Sequence, residues 1–150
     1  MIKQKRTTSQ DKDFTKLVAM LDADLAIRDG EEHSFYAQFN KVVTIKHVVV
    51  IYENEIAIGC GAIKLFEENT MEVKRMYVNP SCRGKGIATL VLQALETWAK
   101  ELGNKKTVLE TGLKQPEAIA LYKKNGYNII SNYGQYIGVE NSVCFEKILM

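Results

Sequence analysis

EVKRMYVNPSCRGKGIATLVLQALETWAKELG, residues 72–103, is the stretch on which the fold turns. It opens with β-branched and aromatic residues, breaks at Asn79-Pro80, and passes through a basic, glycine-bearing turn, Arg83-Gly84-Lys85-Gly86. Ile87, Val91, Ala94, Leu95, Trp98 and Leu102 then recur at helical spacing. The order is strand, loop, helix. The first turn of such a helix has backbone N–H groups without intrahelical partners and presents the positive end of its dipole to the loop. Glycines let that backbone approach a ligand closely, and Arg83 and Lys85 add charge, so the junction suits a diphosphate.

Two common phosphate-binding motifs fail here. A Walker A loop needs GxxxxGK followed by Ser or Thr, but Gly86 follows Lys85 and Asn79 stands where the first glycine belongs. In a dinucleotide fingerprint, GxGxxG, Gly84 and Gly86 fit while Thr89 occupies the third place. The pattern that fits is Arg-x-x-Gly-x-Ala, Arg83 to Ala88, after a strand ending in Tyr77-Val78. Here the chain resembles the GNAT superfamily of acetyl-CoA-dependent N-acetyltransferases, whose signature at this junction is Gln/Arg-x-x-Gly-x-Gly/Ala. TVLETGLKQPEAIALYKKNGY, residues 107–127, resembles the family's second block, a strand and then a helix that carries a tyrosine and closes on Asn-Gly-Tyr.

Composition agrees with a globular protein. The chain has 150 residues, 46% hydrophobic and 25% charged, enough for one domain, residues 1–150, with a substantial core. A formal charge of +2 with no basic stripe argues against nucleic acid. No apolar run is long enough to span a membrane, and Met1-Ile2-Lys3-Gln4-Lys5-Arg6 leads into polar residues and not into a signal core, so a cytoplasmic location is expected. Cys60, Cys82 and Cys144 are odd in number and lack CxxC spacing, which argues for reduced thiols and against a disulfide framework or zinc site; His33 and His47 make no metal pattern.

Along the chain, residues 2–7 suit an edge strand, and residues 9–28 suit a helix capped by Ser9 or Asp11 with Phe14, Leu17, Val18, Leu21 and Leu25 on one face. A shorter helix is expected through His33–Phe39. Residues 47–52 and 56–66 flank the polar turn Glu53-Asn54-Glu55 and read as a hairpin, leading through 67–70 into the Glu72 strand. After the central helix come a strand at Thr107–Glu110, a helix begun by Pro116 and stopped by Gly126, and closing strands near 127–131 and 143–149. The expected fold is mixed α+β: one mostly antiparallel sheet of six to seven strands with helices on both faces. The resemblance implies further that the strands of the two blocks splay apart and admit acetyl-CoA.

Acetyl transfer to an amine needs a neutral amine, a polarised carbonyl, a proton for the departing sulfur, and a grip on the carrier. A primary amine is protonated at neutral pH, so a base or a desolvated site must act. Glu72 is the candidate base, with a solvated strand-end carboxylate as its plain alternative and Glu110 as runner-up. By resemblance Tyr122 is the proton donor to sulfur, although a tyrosine at helical spacing with Ala118 and Ile119 also suits packing against the sheet. The resemblance assigns carbonyl polarisation to the Met76 amide, pantetheine pairing to the Met76-Tyr77-Val78 strand, and diphosphate binding to Arg83, Gly84, Lys85, Gly86, Ile87 and Ala88. Gln115 replaces the asparagine that relatives often carry seven residues before the tyrosine, keeping a donor and an acceptor but adding a methylene.

Relatives usually build the acceptor side from the first helices and the last interstrand loop, here 22–39 and 132–142. Asp24, Asp29, Glu31 and Glu32 suit a cationic amine, Arg28 and His33 suit a carboxylate, and Tyr133 and Tyr136 suit an aromatic wall; each also reads as ordinary surface. The acceptor expected is a small-molecule or peptide amine, attacked directly, since no cysteine has a base beside it by motif. A non-catalytic acyl-CoA-binding module is the alternative. Relatives often form homodimers, and nothing in the residues decides that state.

Overall fold

HVVVIY is apolar at every position but its ends because both faces of its strand are covered. In the computed structural model, which describes residues 1–29 and 44–150, Val49 and Ile51 enter one core while Val48 and Val50 enter the other. The elements are β1 (Ile2–Thr7), α1 (Lys12–Asp29), β2 (His47–Glu53), β3 (Ile56–Glu67), β4 (Thr70–Val78), α2 (Ile87–Glu101), β5 (Lys106–Gly112), α3 (Pro116–Lys124), β6 (Asn128–Ile130) and β7 (Ser142–Ile148). The helix expected through His33–Phe39 lies outside the described residues.

The strands form one seven-stranded sheet in the order β1-β2-β3-β4-β5-β7-β6. Every pairing is antiparallel except β4 with β5. This is the mixed, mostly antiparallel architecture expected. Between β2 and β3, Asn54 and Glu55 adopt φ of 50° and 71°, the paired left-handed residues of a two-residue hairpin turn whose twist matches that of its strands.

Asp11, and not Ser9, caps α1: its Oδ1 accepts from the amides of Asp13 at 2.9 Å and Phe14 at 3.1 Å. Ser9 instead accepts from Ile45 N–H at 2.8 Å, tying the entry of α1 to the approach to β2. Phe14, Leu17 and Leu21 then pack on the Val48 face of the sheet. On the other face α2 buries Ile87, Val91, Leu92, Leu95, Glu96 and Ala99. The buried stripe is rotated from the one read in the sequence: Ala94 and Trp98 sit at its rim and Leu102 is 46% exposed. The apolar arc of α2 is wider than the face the sheet covers, so periodicity alone does not pick its centre. No helix among the described residues is long and apolar enough to cross a membrane.

Candidate active site

The site begins with an irregularity in β4. Against β3, Tyr77 stands opposite Cys60 but Lys74 stands opposite Ala62, so Arg75 and Met76 together face Gly61. Arg75 takes up the extra residue at φ 60°, a left-handed conformation rare for its type. Such a bulge bends its strand and increases the local twist. On its other edge β4 pairs with β5 only over Thr70–Glu72 against Lys106–Val108, and beyond that the strands part, β4 running on to Val78 and β5 to Gly112. Gly61 makes the bulge possible sterically: a Cβ there would lie 2.7 Å from Met76 Sδ, 2.7 Å from Val91 Cγ1 and 2.9 Å from Leu95 Cδ1. Arg75 is anchored to α1 through Asp22 Oδ1 at 3.5 Å, and its carbonyl accepts from Cys60 Sγ at 3.4 Å.

The end of β4 turns polar backbone into the gap. Asn79 N–H donates to Ile58 O at 2.8 Å, so Asn79 faces β3, and by strand alternation the peptide groups of Val78 face the opposite edge. Arg83 Nε, donating to Val78 O at 3.0 Å, closes that carbonyl from the gap side. Met76, two residues earlier, shares the same edge. The cleft between the strands has a volume of about 460 Å³, in the range of small-molecule sites.

One end of the cleft is the turn into α2. None of the amides from Gly84 to Thr89 has a hydrogen-bond acceptor among the described residues, and the first helical bond runs from Leu90 N–H to Gly86 O at 3.1 Å. Gly84 and Gly86 hold φ of 82° and 80°, and a Cβ built on either meets nothing within 4 Å, so the bare backbone fronts open space. Exposed amides, a helix dipole and nearby cations fit the diphosphate of a coenzyme A carrier. Arg83, Gly84, Gly86, Ile87 and Ala88 line the cleft, joined by Lys124 from α3, whereas Lys85 is exposed and outside it. Arg83 is folded back, its guanidinium 5.5 Å from the Tyr77 ring.

Opposite β4, α3 supplies Tyr122 and Gln115. Gln115 is the N-terminal cap residue of α3 and lines the cleft beside Gly112. Tyr122 is 6% exposed, wedged against Tyr127 and Phe145 with ring centroids 5.8 and 5.9 Å away. Tyr127 N–H returns to Tyr122 O at 3.0 Å, so the Asn-Gly-Tyr close of the helix fixes that pair. The Tyr122 ring packs and also lines the cleft, and its hydroxyl has no hydrogen-bond partner among the described residues. Burial, and then the Glu110 carboxylate, push the phenol well above its usual range, so it stays protonated at neutral pH.

The α1 face of the cleft carries the carboxylates. Glu72 is 5% exposed and accepts from Tyr133 Oη at 2.7 Å, so it is a buried, hydrogen-bonded group and not a solvated strand end. Glu110, half-buried on β5, and Tyr136, 3% exposed, complete the floor. Burial first, and then Glu72, raise the Tyr133 phenol; burial first, and then Glu110 and Glu72, raise that of Tyr136. Asp24 lines the cleft from α1, while the side chains of Arg28 and Asp29 and the whole of Glu31, Glu32 and His33 lie outside the described residues. Lys74, absent from the sequence reading, joins this floor, and the signal was the period of two that places it on the face of Glu72. Glu96 was also missed: it interrupts the apolar stripe of α2 and is buried, accepting from Tyr127 Oη at 2.9 Å and pairing with Lys147 Nζ at 2.8 Å.

Comparison with known proteins agrees with this geometry. The family model described as Acetyltransferase (GNAT) family matches residues 14–127. The IAA acetyltransferase of Azospirillum brasilense is 40% identical over 93 residues, 61% of either chain. The chain spans about half to three fifths of the length of such curated relatives. A solved Klebsiella pneumoniae structure, named as an acyl-CoA N-acyltransferase, superposes with a TM-score of 0.83 at 32% identity, covering 100% of this chain and 99% of that one. The paia N-acetyltransferase of Thermoplasma acidophilum, in complex with coenzyme A, shares the fold at a TM-score of 0.71 and 17% identity, with 99% of each chain covered. With most of the chain inside the matched region, this protein belongs to the GNAT acetyltransferase family.

Proposed function

We propose that the chain works as a single N-acetyltransferase domain, moving an acetyl group from acetyl-CoA to the amine of a small molecule or peptide by direct attack in a ternary complex. The observation that carries this is the alignment of outward-facing peptide groups at the end of β4 with the bare amides from Gly84 to Thr89 along one cleft. Bound acetyl-CoA would supply an activated acyl thioester. In this reading the amides of Gly84 to Thr89, with Arg83 and Ile87-Ala88 shaping the turn, hold the diphosphate. Tyr77 backs the strand end while Val78 N–H and Gln115 hold the pantetheine arm. Met76 N–H, turned by the Arg75 bulge, donates to the reacting carbonyl oxygen, where a fixed donor counts most in the transition state. Tyr122, kept protonated by burial, gives its proton to the leaving sulfur.

Glu72 takes the amine proton, with one carboxylate oxygen held by Tyr133 at 2.7 Å and the other 3.9 Å from the Lys74 ammonium. A second reading gives that role to Glu110, favoured because its charge is the one that bears on Tyr122. Direct attack is supported by Cys60 and Cys144: both are buried outside the cleft lining, and burial pushes Cys60 up to about 12 and Cys144 up to about 11, so neither is a thiolate at neutral pH. Free thiols also suit a reducing, cytoplasmic setting.

Calorimetry with coenzyme A, ATP and NAD, followed by an acetyl-CoA consumption screen against amino acids, polyamines, aminoglycosides and peptides, tests the proposal. Coenzyme A should bind in preference to the nucleotides, and at least one amine should be acetylated with intersecting double-reciprocal lines. Tight coenzyme A binding with no transfer to any amine would convert the reading into that of a binding module.

A further inference from the structure

The floor of the acceptor side contains a cation that the transfer step does not use. Met71 and Val73 of β4 pack into the α2 core, so strand alternation sends Glu72 and Lys74 to the opposite, α1 face. The Lys74 side chain is 13% exposed and lines the cleft. Its ammonium lies 3.9 Å from Glu72 Oε1, an ion-pair distance too long for a hydrogen bond, and finds no hydrogen-bond acceptor among the described residues. The other oxygen of Glu72 is already held by Tyr133. An ammonium has three protons to place, and burial without acceptors is costly for a charge. Burial depresses the lysine's proton affinity, with the charges of Glu72 and Glu110 opposing that effect.

Anionic Glu72 and Glu110 and cationic Lys74 thus share one floor, with Tyr136 beside them. An acceptor bearing several positive charges and no negative one would satisfy the carboxylates but set a further cation against Lys74. An acceptor with an amine and a carboxylate satisfies both signs. Resting on the N-acetyltransferase reading above, we propose that the acceptor is an amino-acid-like zwitterion whose carboxylate is bound by the Lys74 ammonium while its amine faces Glu72 and Glu110. Lys74 is then a specificity-determining residue that takes no part in the proton transfers.

The test pairs each acceptor with its own uncharged analogue. Full-length protein is assayed for acetyl-CoA consumption with free amino acids, the corresponding carboxamides and the corresponding decarboxylated amines, and with polyamines. The acid should exceed its carboxamide in kcat/KM by about tenfold or more, as expected for a charge-assisted contact, mainly through KM. Lys74→Met should collapse the acid-to-amide ratio towards one, a ratio that cancels any general loss of turnover, and Lys74→Arg should retain part of it. Acetylation of polyamines or carboxamides in preference to acids, or an unchanged ratio in Lys74→Met, would overturn the inference while leaving the acetyltransferase reading intact. Should Lys74→Met fail to fold, the wild-type pairs and Lys74→Arg still decide. Coenzyme A binding with no turnover of any amine would overturn both.

Discussion

Replacing Gly61 by alanine tests whether the bulge in β4 and the seat of α2 form one mechanical unit. The new Cβ would meet Met76 Sδ and Val91 Cγ1 at 2.7 Å and Leu95 Cδ1 at 2.9 Å. Ordinary contacts lie at about 3.5–4.0 Å, so each neighbour must retreat by roughly an ångström. Met76 is flexible and can swing, but Val91 is β-branched and confined to essentially one rotamer in a helix. The strain therefore passes to the backbone of α2. Overpacking of this kind costs about 1–3 kcal/mol. For a chain of this length that corresponds to a melting-temperature drop of about 2–12 °C, read by circular dichroism. Because α2 carries the amides from Ile87 to Thr89 and follows directly on the Gly84–Gly86 turn, and Met76 stands beside the Arg75 bulge, calorimetry should also show weaker coenzyme A binding. Gly59→Ala is the comparison, since its Cβ meets Ile87 Cγ2 at 3.0 Å and Tyr77 O at 3.3 Å, a milder conflict with a smaller expected loss. A melting temperature within about 1 °C of wild type would refute the packing argument; a lowered one with undiminished coenzyme A affinity would refute the link from bulge to cofactor.

Tyr122→Phe should lower kcat by about a hundredfold or more, the usual scale for a lost general acid, with little change in the acetyl-CoA dissociation constant; unchanged turnover would remove Tyr122 from that role. Gly86→Val meets open space but must hold φ 80°, so a stability loss of about 1–2 kcal/mol should accompany at least a tenfold loss of coenzyme A affinity in calorimetry, and normal affinity would contradict the cradle. His47, 4.8 Å edge-on to Trp98, has its pKa lowered from 6.5 by burial and then by Lys46. The unfolded chain therefore takes up the proton first as pH falls, so its contribution is complete above about 6.5 and is lost below. Urea midpoints of wild type should fall more between pH 7.5 and 5.5 than those of His47→Phe, and parallel curves would reject that account.

How much of this was legible in the chain varies with the distance over which the information travels. The hairpin at Asn54-Glu55 and the turn at Gly84–Gly86 rest on neighbouring residues, and each stands where it was expected. The centre of the buried stripe on α2 was shifted, because an apolar arc wider than its contact gives no internal reference; Leu102 lies on the open side while Leu92 and Ala99 lie inside. Asp11 and Ser9 were equivalent as caps until the position of Ile45 claimed Ser9.

For this protein the sequence by itself determined the order of strands and helices among the described residues, the phosphate-type turn and the resemblance carried by residues 72–127, because periodicity, caps and glycine turns act within a few residues. Tertiary structure decided the rest. Arginine has no preference for φ 60°, so the bulge at Arg75 exists only because Gly61 opposite leaves room for it. Tyr133 and Glu72, 61 residues apart, meet only because the loop before β7 folds back onto the β4 strand. Side-chain chemistry is written locally, but which charges share a buried floor depends on how far two strands diverge, and that is a property of the packed sheet.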